Sequence, residues 1–185
     1  MEFQEFQKIA RLSRDIVITE KIDGTNGCIG IEEDGVTMHV GSRSRWLTVE
    51  NGDNFGFALW ALTHRDELLT LGPGYHYGEW WGAGIQRRYG LTEKRFSLFN
   101  VHRWADVPPE GKTQRPACCG IVPTLYRGPF DTQAIDYALD DLSRNGSVAA
   151  LGFMKPEGVV IFHEQARILF KKTIEKDSEP KSRVA

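Results

Sequence analysis

The stretch Glu20-Lys21-Ile22-Asp23-Gly24-Thr25-Asn26-Gly27 constrains this chain more than any other. It separates two apolar runs, residues 15–19 and 28–32, whose alternation is that of buried strands. The spacing therefore predicts a lysine fixed at a strand end. Asp-Gly follows two residues on, where a turn lets a ligand approach the backbone closely. Such an arrangement suits a nucleophilic amine. A free lysine titrates near ~10.4, so only about one in a thousand is unprotonated at neutral pH. Neighbouring cations would raise that fraction. The rest of the chain must supply them, and a partner to attack.

With 185 residues the chain is long enough for one domain with a substantial core. Its net charge of −2 excludes a protein that coats nucleic acid by bulk charge, so any such contact needs a local basic groove. Cys28 and the adjacent Cys118 and Cys119 make neither a disulfide framework nor a zinc pattern. That composition fits a reducing cytoplasm, and no signal peptide or long apolar run points to secretion or a membrane.

The hydrophobic pattern predicts interspersed strands and helices, hence an α+β fold with antiparallel sheets. Phe3, Phe6, Ile9 and Leu12 recur at threefold spacing, as in a short helical or irregular segment covering the core edge. Glu33-Asp34-Gly35 predicts a hairpin turn that returns the chain through residues 36–40 and carries Arg43 toward the level of Lys21. Residues 55–71 are broadly helical in pattern, capped by Asp53 or Asn54 and stopped by Gly72-Pro73. Strands are expected over 75–81, 95–104 and 121–126, with an irregular loop at 105–120. A helix capped by Asp131 should end at Asn145-Gly146. A final hairpin, 157–163 with 167–174, precedes a polar tail from 175 to 185.

Taken in order, Lys21-Ile22-Asp23-Gly24, Ser42-Arg43, Gly78-Glu79, the aromatic strand around Phe99, Glu157-Gly158-Val159-Val160 and Lys171-Lys172 resemble the motifs of covalent nucleotidyltransferases. These are DNA ligases, RNA ligases and mRNA capping enzymes. Asn26 resembles the RNA ligase version, where DNA ligases usually have Arg. Ser42-Arg43, Asn54-Phe55-Gly56 and Glu79-Trp80-Trp81-Gly82 are similar to RNA ligases of the phage type 2 branch. The resemblance implies an ATP-grasp-like adenylyltransferase domain over residues 1–174, with antiparallel sheets and flanking helices around an ATP pocket.

It also implies roles. Lys21 matches the nucleophile that attacks the α-phosphate of ATP and holds AMP as a phosphoramidate. Asp23 and Glu157 match acidic residues near the metal, Mg²⁺ or Mn²⁺. Arg43 matches a ribose or phosphate contact, and Glu79 the ligand of the ribose hydroxyls. Phe99 matches the ring stacked on adenine, with Phe96 on the opposite strand face as its rival. Backbone groups around Glu20 and Ile22 would read adenine, and Asn26 belongs to the same pocket. Lys171 matches the α-phosphate lysine of the last motif. That motif is usually Lys-x-Lys, so either Thr173 or, through a bulge, Lys172 fills its second position.

The implied reaction joins a 5′-phosphate to a 3′-hydroxyl, on RNA or another nucleic acid, in a bacterial or phage-infected cell. Neither an oligonucleotide-binding barrel nor a helical C-terminal domain follows Lys171, so a separate substrate-binding partner is part of the expectation. A DNA ligase, a capping enzyme or a nucleotide-binding module that seals nothing alone are the competing functions. For Arg87-Arg88 and Arg95, a nucleic-acid contact and a solvated loop stand equal.

Overall fold

The structure is a computed structural model that describes residues 1–104, 115–175, 177 and 178. The key strand β1 (Asp15–Lys21) is central in a sheet ordered β7-β1-β8-β9, with β7 (Thr124–Pro129), β8 (Gly158–His163) and β9 (Ile168–Thr173). The second sheet is ordered β3-β2-β4-β5-β6, from β2 (Thr25–Ile31), β3 (Met38–Gly41), β4 (Gly74–Gly82), β5 (Lys94–Leu98) and β6 (Cys119–Ile121). The Asp23-Gly24 turn is thus where the chain first passes from one sheet to the other.

Each sheet covers one face with a helix. Ile16 and Ile18 of β1 join Val159 and Ile161 of β8 against Ala138 and Leu142 of α3 (Thr132–Asn145). Asp131 caps α3 as expected, its Oδ1 accepting from the Gln133 amide at 2.8 Å. Such a cap stabilises by about 1 kcal/mol. In the second sheet Ile29, Trp80, Phe96 and Leu98 pack on Phe57, Ala58 and Ala61 of α1 (Phe57–Thr63). A third cluster ties the sheets together: Ile22 beyond β1, Trp81 on the other face of β4, Tyr89, Val122 and Ala150.

Several expectations need correction. The helical stretch 55–71 is two short helices, α1 and α2 (Arg65–Leu69). Asn54, Phe55 and Gly56 take positive φ, which delays the start of α1. The anticipated caps sit further back: Asp53 Oδ1 accepts from the Leu59 amide at 2.9 Å, while Asn54 turns to β2. The strand expected to reach Trp104 ends at Leu98, because the Asn100 side chain accepts from the His102 and Arg103 amides and turns the chain. Residues 121–126 divide between sheets, β6 ending before Pro123 and β7 starting after it.

The pairing of β5 with β6 is parallel, so the sheets are not wholly antiparallel. Residues 1–14 do not cover the core: Phe3, Phe6, Ile9 and Leu12 are all exposed. Most of the loop and tail expectations, 105–114, 176 and 179–185, lie outside the described residues. Among the described residues no helix is long and apolar enough to cross a membrane.

Candidate active site

Lys21 ends β1, and its Nζ lies 2.6 Å from Glu157 Oε2. The pair is largely buried, with side chains 19% and 6% exposed. Glu157 is placed by the residue after it. Gly158 sits at φ 153, and a Cβ there would lie 2.3 Å from the Lys172 carbonyl oxygen, so only glycine lets β8 start this close to β9.

On the far side of the turn, Asp23 pairs with Arg87, Oδ2 to Nε, at 3.1 Å. The Asp23 amide donates to the Tyr89 hydroxyl at 2.7 Å. Arg87 also donates to the Lys155 carbonyl at 3.0 Å. It thereby ties the turn after β1 to the segment that leads to Glu157.

Glu79 completes the cluster from the second sheet. Its Oε1 accepts from the Gly24 amide at 3.0 Å, and its Oε2 from Asn26 Nδ2 at 3.1 Å. Gly24 permits this approach, since a Cβ there would stand 2.4 Å from the Trp80 carbonyl oxygen. Asn26 and Glu79 are direct cross-strand partners and so share a face. Burial, opposed chiefly by the charge of Lys21, raises the Glu79 carboxyl from the usual 4.5 to about 7. Asn54 steadies Asn26 from below, donating to its backbone carbonyl at 3.2 Å.

Strand register sorts the remaining candidates. Lys21 pairs with Gly158, Gly158 with Thr173, and Val160 with Lys171. Residues opposite one another, or two apart, share a face. Lys171 and Thr173 therefore lie on the face of Lys21. Lys172 lies on the other, where its Nζ meets Asp136 of α3 at 2.6 Å, and it is not brought to the site. Glu20 also turns away: its carboxylate accepts from Ser147 Oγ and from the amides of Val148 and Ala149. Its backbone amide is committed as well, donating to the Pro123 carbonyl at 2.9 Å. Ile22 is buried in the third cluster.

Ser97 pairs with Glu79, and the Phe99 amide continues that pairing to the Tyr77 carbonyl at 2.9 Å. Phe99 thus follows the Glu79 face and stays 40% exposed, whereas Phe96 is fully buried with its ring 5.0 Å from that of Phe57. The hairpin turn at Glu33-Asp34-Gly35 forms as expected, the Gly35 amide donating to the Glu32 carbonyl. The returning strand is paired as far as Gly41, opposite Cys28, and Arg43 is exposed in the turn beyond it.

Arg87, Tyr89, Asn54 and Ser147 belong to the site or its frame but were not assigned there by sequence. For Arg87 the position in a Gly-bounded, Arg-containing loop was the available signal. The immediate partner of Lys21 is also a carboxylate rather than the cations expected from its chemistry. A cavity of about 860 Å³ lined by Trp81, Ser97, Cys119, Val122 and Thr124 holds none of Lys21, Glu79 or Glu157, so charge and not volume marks the site.

This mixed α+β fold of two sheets, with a lysine at a crossing between them, is similar to that of RNA ligases of known structure. An RNA ligase R4a of Naegleria gruberi, a point variant in apo form, superposes with a TM-score of 0.60 at 19% identity over 87% of this chain and 50% of that one. A Naegleria gruberi RNA ligase variant solved with AMP and Mn gives 0.59 at 17% identity, over 88% and 50%. Another, with ATP and Mn, gives 0.59 at 19%, over 87% and 50%. The chain therefore spans about half the length of these structures. No curated protein sequence matches it. The family model described as RNA ligase matches residues 14–176, and the chain belongs to that family.

Proposed function

We propose that this chain is an ATP-dependent RNA ligase that adenylates itself on Lys21. The observation that carries the proposal is the Lys21–Glu157 contact at the end of β1, with Asp23 and Glu79 beside it. In the first step the Lys21 amine attacks the α-phosphorus of ATP. A P–N bond forms, the bond from the α-phosphorus to the bridging oxygen breaks, and pyrophosphate leaves. Glu157 holds the amine at the strand end and is within reach to accept its proton.

Glu79 and Asn26 present the groups that would hold the ribose, and Phe99 the ring that would stack on adenine. Lys171, on the Lys21 face, supplies charge to the phosphates. AMP then passes to a 5′-phosphate end of RNA, and attack by a 3′-hydroxyl releases it as the phosphodiester forms.

Among the described residues no three His, Cys, Asp or Glu side chains converge as a metal site. Mg²⁺ on nucleotides is ordinarily held by one or two carboxylates, with phosphate oxygens and water completing the shell. Asp23 and Glu157, one on each side of Lys21, fit that donor set. When bound, Mg²⁺ or Mn²⁺ would neutralise charge on the phosphates.

Incubation with ATP and Mg²⁺ should add the mass of AMP to the wild-type chain, through an acid-labile, alkali-stable bond. Lys21→Ala should take up none. An adduct of the same size on the variant would move the nucleophile elsewhere. A wild-type chain that binds ATP without any adduct would favour the nucleotide-binding module.

A further inference from the structure

Glu79, Tyr77 and Tyr75 occupy alternate positions of β4 and share its site-facing side. Each pair of residues advances a strand by about 6.6–6.8 Å. A row of side chains thus leads away from the catalytic cluster along the sheet. Trp46, bridged to Gly41 at the end of β3, continues it. Ring centroids of Trp46 and Tyr75 are 6.3 Å apart with planes within 20°, and those of Tyr75 and Tyr77 are 6.3 Å apart within 18°.

The rings are not packed away: Trp46, Tyr75 and Tyr77 are 52%, 66% and 53% exposed. Contiguous exposed aromatic surface of this kind marks an interaction site rather than ordinary surface apolarity. Two glycines seat the indole. A Cβ on Gly30 would fall 2.9 Å from Trp46 Cη2, and one on Gly41 would fall 3.1 Å from its Cε3. The benzo edge rests on the sheet there, with the His39 ring 5.3 Å from the indole and tilted by 43°. Arg45, exposed in the turn beside Trp46, brings positive charge to the same end.

We propose that Trp46, Tyr75 and Tyr77 form a stacking platform for unpaired bases of the RNA strand whose end is joined at Lys21. The occupant follows from the surface. Near-parallel rings in series stack bases of any sequence, and the row starts beside Glu79, at the site where an RNA end must arrive. The inference rests on the RNA-ligase reading of that site.

The test is fluorescence anisotropy with a labelled, single-stranded oligoribonucleotide bearing a 5′-hydroxyl, without ATP, so that no chemistry intervenes. Trp46→Ala and Tyr75→Ala should each weaken binding about fivefold or more, as loss of a stacked base contact does. Trp46→Tyr should retain binding near the wild-type value, and Trp46→Leu should bind as poorly as the alanine variant. The RNA should also quench indole emission in wild type but not in Trp46→Tyr, a readout that does not depend on a destabilised variant. Wild-type affinity in Trp46→Leu would mean an apolar docking face for a protein and would overturn the platform. So would undiminished binding by both alanine variants, or no binding by wild type. Self-adenylation of the wild-type chain separates the two levels: an adduct without ring-dependent RNA binding defeats the platform alone.

Discussion

On the α3 side of the β7-β1-β8-β9 sheet, Glu20 is 1% exposed and its two oxygens accept from Ser147 Oγ at 2.6 Å and from two backbone amides at 2.9 Å. On the other side, one residue later, Lys21 meets Glu157 near Glu79 and Asp23. Both faces bury charge. The α3 face binds its carboxylate with donors that the fold supplies and that nothing else can use, which makes it a latch between β1 and the turn after α3. The Lys21 face crowds ionisable groups that pair with one another, Lys21 with Glu157 and Asp23 with Arg87. The same alternation places Lys172 with the latch and Lys171 with the site. What separates framework from chemistry here is strand phase, not distance along the chain.

The sharpest way to break this comparison is to exchange the fates of adjacent residues. Lys21→Ala should lose the AMP adduct completely, as measured by intact mass. Glu20→Ala should instead cost stability, roughly 2–3 kcal/mol, because it orphans a buried hydroxyl and two part-buried amides that had a charged acceptor. Urea unfolding of Glu20→Ala and Glu20→Gln measures this, with the glutamine variant intermediate because one acceptor remains. An alanine variant as stable as wild type would mean that the latch holds nothing.

Glu79 sharpens the contrast through pH. Its carboxyl is raised by burial from 4.5 to about 7 in the folded chain. The folded state therefore holds a proton that the unfolded state has lost. The stabilisation from that proton is complete below about 4.5 and disappears as pH rises through about 7. The span corresponds to about 3 kcal/mol. Glu79→Gln should be flat over this range on this account, so the difference in unfolding free energy between wild type and variant should change between pH 5 and pH 8. Parallel curves for the two proteins would show that Glu79 ionises as easily folded as unfolded.

Much of this was legible because it is local. Lys21 at a strand end, the Asp34-Gly35 turn and the Asp131 cap each follow from a few adjacent residues. The opposition of Lys171 and Lys172 follows from a period of two. The phase of Phe99 against Phe96 needed the pairing of β5 with β4 to decide it. What the sequence hid is contact at long range through irregular backbone. Glu20 and Ser147 lie 127 positions apart, and the segment that follows Ser147 has no periodic pattern. Tyr89 stands in a charged loop that reads as solvated, yet it is 2% exposed at a φ of 51° and braces the Asp23 amide. The parallel β5–β6 pair was illegible for a related reason: Pro123 marks where one apparent strand divides between sheets, but nothing local says which partner each half takes.

The smallest expected effect belongs to Lys172 and gives the closest test of phase. Lys171 and Lys172 are chemically identical neighbours, so any difference between them reports which face each occupies. Lys171→Ala removes a cation from the face of Lys21 and, on the proposed function, should slow self-adenylation on the order of tenfold or more, from about 1.5–3 kcal/mol per lost bond to a charged group. Lys172→Ala removes only a half-exposed ion pair to Asp136, side chains 42% and 64% exposed, worth about 0–1 kcal/mol after solvent screening. Its adenylation rate should stay within about twofold of wild type, and its unfolding midpoint should fall slightly and less so in high salt. The measurement is the single-turnover rate of adduct formation at saturating ATP for both variants. If Lys172→Ala is the slower of the two, β9 shifts register when ATP binds, and the second lysine of the pair takes over the α-phosphate.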